Sequence, residues 1–172
     1  MNIDNALPDG RCIAYVSSAT LPMSLADLES ILARSRERNA ADGVSGALIY
    51  SDGSFVQYIE GPQAGLEATW ARIQNSRLHR QIIELLDEPV AVRSFADWHM
   101  GYTEVTRQQL RALCDARWRI AQTASETGAA GLVDDVEAGP DAADGARARL
   151  VSHTSPGLGL LLHLTGAKQR RI

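Results

Sequence analysis

Two side chains in this sequence could do chemistry together, the phenol of Tyr15 and the carboxamide of Gln57. Tyr15 lies in RCIAYVSS, Arg11 to Ser18, and Gln57 in FVQYIE, Phe55 to Glu60, and both segments read as strands. Successive strand side chains point to opposite faces. Ile13 and Tyr15 therefore share one face and Cys12, Ala14 and Val16 the other; Phe55, Gln57 and Ile59 share one face and Val56, Tyr58 and Glu60 the other. Gln57 thus falls between two large apolar residues in a core-facing row. A buried amide must satisfy two donors and an acceptor, at about 1–3 kcal/mol for each group left unmet. A phenol on a neighbouring strand can meet part of that need. The pair is either a satisfied core contact or part of a ligand site, and local pattern alone leaves both open.

Three further groups qualify. Asn39, at the end of the first predicted helix, is a helix stop or a hydrogen-bonding group. Trp98 and Met100, in Trp98-His99-Met100, share a face if that run is a strand, and form a core edge or a site wall. Ile31 and Ile73, on the facing stripes of two predicted helices, could clamp a flat ring or simply pack. There is no nucleophile–base pairing and no glycine-rich phosphate loop. His79, His99, His153 and His163 are scattered without ligand spacing, which argues against a metal site. Cys12 and Cys114 read as small core residues.

The elements that would position these groups follow from periodicity. Residues 1–10 read as a frayed lead-in. Arg11 to Ser18, apolar on both faces, is a central strand. Ser24, with Asp27 three residues on, caps a helix whose stripe is Leu25, Leu28, Ile31, Leu32 and Ser35, with Arg34, Arg36, Glu37 and Arg38 opposite. Gly46 to Gly61, GALIYSDGSFVQYIEG, is a hairpin turning at Ser51-Asp52-Gly53-Ser54. Pro62 opens a second helix with the inner stripe Leu66, Thr69, Trp70 and Ile73. Gln81 to Asp87 and Trp98 to Tyr102 are the fourth and fifth strands. Thr106 to Gln122 is a third helix, boxed by Thr106 and Gln109 and striped by Leu110, Leu113, Cys114 and Trp118. The order βαββαββ implies an α+β, ferredoxin-like fold: a mixed, mainly antiparallel five-stranded sheet with two helices on one face and the C-terminal helix capping the other.

The tail, residues 123–172, differs. It holds 7 of the chain's 14 glycines and no Phe, Tyr or Trp, and its acids precede its bases, so it can bury little. Its one apolar patch, Leu158, Leu160, Leu161, Leu162 and Leu164, could dock as a short helix or strand. The whole chain of 172 residues, 45% hydrophobic and with net charge −4, suits one soluble domain with extensions. That charge lacks the basic face a nucleic-acid binder needs. No apolar run approaches the roughly 20 residues of a membrane span, and no basic-then-apolar leader opens the chain, so the expected location is the cytoplasm.

Taken together, IAYVSSAT, RNAADGVSGALIYSDGSFVQYIEGP and FADWHMGY closely resemble the BLUF family, the blue-light sensors using flavin, from about Arg11 to Tyr102. The resemblance implies residues 11–105 as the flavin-binding domain, with 106–122 as a capping or output helix. It implies Tyr15 as electron and proton donor, Gln57 between tyrosine and flavin, Asn39 on the ring's carbonyl and imide edge, and Ile31 and Ile73 sandwiching the ring. It implies signalling roles for Trp98 and Met100 and a place beside the ring for His79. Ser35 and Arg72 become contacts to the flavin or its phosphate end. FAD is the implied cofactor, with FMN and riboflavin admitted because the grip is mainly on the ring. An amide both donates and accepts, so Gln57 can relay a proton and be left rotated or tautomerised. Output is expected through an unidentified protein partner, without enzymatic activity, in a homo-oligomer; the alternative is a light-insensitive flavin redox sensor or carrier, with Cys12 as its thiol. Two departures stand out. Leu78 occupies the place of a common arginine, with Arg77 and Arg80 nearby, and the second C-terminal helix of short members is not evident.

Overall fold

The computed structural model describes residues 6–118 and 155–166. Its elements are β1 (Gly10–Ala19), α1 (Leu25–Asp42), β2 (Ser45–Ser51), β3 (Ser54–Pro62), α2 (Gln63–Gln74), β4 (His79–Pro89), β5 (Gly101–Glu104), α3 (Arg107–Asp115) and α4 (Pro156–Thr165). One five-stranded sheet has the order β4-β1-β3-β2-β5. Every neighbouring pair is antiparallel except β2 and β5, which run parallel. This is the ferredoxin-like α+β arrangement expected from the chain, with β1 and β3 central.

The two faces of the sheet carry separate cores. Ile13, Leu48, Phe55 and Ile59 pack under Leu28 and Leu32 of α1 and Leu66 of α2. Ala14, Ile49, Val56 and Tyr58 pack under Leu110 and Leu113 of α3 and Leu158 and Leu161 of α4. The β2–β3 hairpin turns through Asp52 (φ 47°) and Gly53 (φ 79°), both left-handed, as a two-residue turn matching strand twist requires. Both anticipated capping boxes form, Ser24 with Asp27 and Thr106 with Gln109.

Several boundaries differ from the sequence reading. Residues 6–10 are not frayed: Ala6 bridges Val92, Leu7 N–H donates to Ala91 O (2.8 Å), and Leu7 is buried. Helix α1 runs past Asn39 to a left-handed cap at Gly43 (φ 66°), so Asn39 is a buried helical residue and no stop. Leu25, in the first turn, lies beyond the reach of the core and is exposed. Strand β4 starts at His79, and Gln81 (φ 56°) marks its bend, where the register with β1 shifts.

Strand β5 begins only at Gly101, so Trp98 and Met100 precede the ladder. Trp98 N–H turns back to Phe95 O (3.0 Å), a local bond that holds this stretch out of strand geometry. Helix α3 stops at Asp115, short of the expected Gln122; residues 119–122 lie outside those described. Trp118 is thus not on the helical stripe, and its indole N–H donates to Leu113 O (2.9 Å), a carbonyl of the helix end.

The tail contributes α4: the apolar patch docks as a short helix, one of the two forms expected of it, and supplies the second C-terminal helix that was not evident in the sequence. Ser155 caps it, Pro156 opens it, and Gly166 (φ 68°) closes it. A helix apolar around most of its circumference shows no period to read. Gly157 lets it seat against Trp118, since a Cβ there would come within 2.6 Å of the indole. The rest of the tail, and its segregated charge, lie outside the described residues.

Candidate functional site

A cavity of about 510 Å³ opens between α1 and α2 over the sheet. Ligand pockets commonly measure roughly 300–1,000 Å³. Its lining includes Tyr15 of β1, Gln57 of β3, Ile31, Ser35 and Asn39 of α1, Arg72 and Ile73 of α2, His79 of β4, and Met100. The fold thus brings together every site residue singled out from the sequence except Trp98.

Tyr15 and Gln57 are directly paired across β1 and β3, with side chains on the same face. The Tyr15 hydroxyl donates to Gln57 Oε1 in a short bond. Both residues are buried, and burial pushes the phenol's pKa well up, keeping it protonated as the donor. With Oε1 committed to the phenol, the amide nitrogen turns toward Met100 and donates to Sδ (3.3 Å). A thioether is a weak acceptor, so the two N–H groups keep capacity for a ligand. The Tyr15 ring lies 5.2 Å from that of Trp70 and 6.0 Å from that of His79.

Asn39 donates from Nδ2 to His99 O (2.6 Å), and Arg36 donates from Nε to Met100 O (3.0 Å). Helix α1 therefore grips the backbone on both sides of the Met100 peptide. Arg36, read from the sequence as part of the outer helix face, is a missed member of this group. It stands four residues after Leu32 and three before Asn39, both buried, and that helical spacing was the available signal. Ile31 and Ile73 are half-buried on opposite walls, the apolar sides of a slot.

His79 pairs through Nδ1 with Ser17 Oγ (3.0 Å), and burial lowers its pKa, with the Ile73 carbonyl opposing, so the ring is neutral at pH 7. Arg72 is bound to Asp42 in a short ion pair and to Thr69 Oγ1 (2.8 Å), which ties the end of α1 to α2 at the cavity wall. Leu78 and Arg77 also line the cavity; Arg80 does not.

Trp98 departs from expectation. It packs into the core on the far side of the sheet, its ring tilted against that of Phe95 with centroids 5.9 Å apart, whereas Met100 packs into the core beneath the cavity. A second missed residue is Glu60, fully buried on the far face of β3. An acid in the otherwise apolar row Val56-Tyr58-Glu60 was the available signal.

The cavity fits an aromatic ligand with a hydrogen-bonding edge: apolar walls on two helices, and two carboxamides with donors to spare, Gln57 on the sheet and Asn39 on α1. This fold and slot define an α+β domain built to hold a flat ligand between two helices and a sheet. The family model for BLUF, sensors of blue-light using FAD, matches residues 11–101, and the chain belongs to that family. It is 32% identical over 99 residues to a photoactivated adenylate cyclase subunit beta of Euglena longa, a match spanning 57% of this chain and 11% of that protein. A corresponding alpha subunit of Euglena gracilis is 30% identical over 98 residues, 10% of its length. Among solved structures, BlrB, a BLUF protein in its dark state, is 35% identical with a TM-score of 0.53, covering 61% of this chain and 78% of that one. The photo-activated state of BlsA is 28% identical with a TM-score of 0.55, covering 62% and 77%. This chain thus spans about a tenth of the length of the cyclase subunits. The domain is a blue-light sensor of the BLUF family, and no helix among the described residues is long and apolar enough to cross a membrane.

Proposed function

We propose that this protein is a non-enzymatic blue-light photoreceptor whose moving part is the Gln57 carboxamide. The observation that carries this reading is the relay at the cavity floor, Tyr15 Oη to Gln57 Oε1 and Gln57 Nε2 to Met100 Sδ. Bound flavin supplies absorption of blue light and an acceptor for an electron and a proton. Ile31 and Ile73 hold the ring between the helices, and Asn39 and Gln57 meet its polar edge. His79, Ser35 and Arg72 border it. The guanidinium of Arg77 serves where Leu78 has replaced an arginine.

The chain's own chemistry runs through Tyr15. Its buried hydroxyl holds the proton and gives it up along the bond to Gln57 Oε1. Once that donor is withdrawn, only the weak bond to Met100 Sδ holds the amide's orientation. The proton's return catches the carboxamide rotated or tautomerised, with its donor and acceptor exchanged. Met100 then loses the N–H on its sulfur, and the change passes into a segment whose backbone is held by Asn39 and Arg36.

The sensing unit is residues 11–105, and the output is the far face, where Trp98, α3 and α4 meet a protein partner, the receptor working as a homo-oligomer in the cytoplasm. FAD is the cofactor proposed, FMN and riboflavin being admitted because the residues named grip mainly the ring. The reading as a redox sensor is less well supported: Cys12 is buried, and burial pushes its thiol up to about 11, leaving it protonated and unreactive.

The test is an absorption spectrum of the purified protein before and after blue light. A yellow protein with a reversible red shift is expected. A bound flavin indifferent to light would replace this reading with the redox one, and a colourless protein would remove both. Mass analysis of the ligand released on denaturation separates FAD from FMN and riboflavin.

A further inference from the structure

We propose that Glu60 is a positioning residue for the Gln57 switch, setting through residues 93–100 the place at which Met100 meets the amide; this rests on the photoreceptor reading above. Glu60 lies two residues before the end of β3, on the face away from the cavity, and is wholly buried. Its carboxylate accepts from the backbone N–H of Phe95 (2.6 Å) and of Ser94 (2.9 Å), from the hydroxyl of Tyr58 (3.0 Å), and from that of Ser45 (3.4 Å). Arg93 completes the anchor without touching the carboxylate: it donates to Ser45 Oγ (2.7 Å), Gly43 O (2.6 Å) and Glu60 O (3.3 Å). Burial raises the acid's pKa, while the Ser94 and Phe95 N–H groups, Tyr58 and the nearby Arg93 charge pull it back.

From this anchor each step to the cavity is specified. The Phe95 ring sits 5.5 Å from that of Tyr58, Phe95 O accepts Trp98 N–H (3.0 Å), and Trp98 O accepts Gly46 N–H (2.8 Å). Two residues later Met100 Sδ receives the Gln57 amide. Gln57 and Glu60 are three residues apart on one strand and point to opposite faces, so β3 holds the segment at both ends. An aliphatic residue would pack in this row with no buried charge; what the carboxylate adds is direction. Two backbone donors converge on its two oxygens, and no neutral isostere accepts them all. A carboxamide would set its own N–H groups against one of them.

The experiment compares Glu60→Gln and Tyr58→Phe with wild type in the full chain, by two readouts. The first needs no light: the Met100 methyl carbon and the Gln57 side-chain amide, followed by NMR in the dark. The second is the rate of dark recovery after a blue pulse. Glu60→Gln is expected to move both resonances and change recovery by about tenfold, and Tyr58→Phe to move them less, in the same direction. Unmoved resonances and unchanged recovery, with only a lowered Tm, overturn the proposal and leave Glu60 a structural residue. Where Glu60→Gln does not fold, Tyr58→Phe decides on the same resonances. A wild type without a light-induced shift sinks the photoreceptor reading instead, while the dark resonances still decide the placement of Met100.

Discussion

Trp98 and Met100 are two residues apart in the chain yet pack into opposite cores of the sheet, Met100 beneath the cavity and Trp98 against the layer of α3 and α4. Gly101, the first residue of β5, makes room for this crossing, because a Cβ there would strike the Trp98 ring. The segment is therefore a link between the two faces. Met100→Leu, which conserves volume, is expected to cost less than about 1.5 kcal/mol while removing the sulfur that accepts from Gln57. It should shift the dark flavin spectrum or its recovery. Trp98→Ala should leave the dark spectrum in place and cost nearer the lower end of about 3–5 kcal/mol, its ring being half-buried. Paired absorption spectra and thermal melts distinguish these outcomes. If both variants perturb the dark flavin alike, the two-faced placement is wrong.

Tyr15→Phe removes the donor to Gln57 Oε1 and leaves a buried carbonyl unmet. A loss of about 1–3 kcal/mol is expected in a chemical denaturation curve. Flavin should be retained, since the slot walls are untouched, and the light-minus-dark difference spectrum should vanish. A full red shift in this variant would remove the role proposed for the phenol.

Alkaline pH should destabilise the fold through the same burial. Tyr15 and Tyr58 both have phenol pKa values raised above the ordinary 10.0, chiefly by desolvation. The unfolded chain releases those protons near pH 10 and the folded chain does not, so stability is full below that value and falls as pH rises beyond it. Ultraviolet titration of tyrosinate, run beside circular dichroism, is expected to show these two phenols ionising only as the protein unfolds. Ionisation of all four tyrosines with the fold intact would contradict their burial.

Gly157→Ala tests the docking of α4. The added Cβ would lie 2.6 Å from Trp118 Cδ2. Overpacking of this kind costs typically about 1–3 kcal/mol. Trp118 fluorescence and Tm should both change while flavin stays bound, because the cavity is on the other face. Flavin loss in this variant would mean that the two cores are more tightly coupled than their separation suggests.

What the sequence determined by itself is whatever obeys a local period or a local cap. Strand alternation placed Tyr15 and Gln57 on one face and Tyr58 and Glu60 on the other, and the βαββαββ order made β1 and β3 neighbours. The capping boxes and the Asp52-Gly53 turn were legible because their partners lie within three residues. Tertiary structure alone decided the rest. Trp98 and Met100 were assigned to one face because period two was applied outside the ladder, where the chain turns back on Phe95. Asn39 resembled a stop because its true partner, His99 O, is 60 residues away. The apolar patch of α4 was legible as a docking segment, but which of its residues face the core was not, because a helix apolar around most of its circumference has no amphipathic signal. Glu60 stood out as an acid in an apolar row, but its meaning rests on two N–H groups delivered from a loop 34 and 35 residues downstream. A buried charge is intelligible only when the groups that repay its desolvation are in place, and their positions belong to the fold.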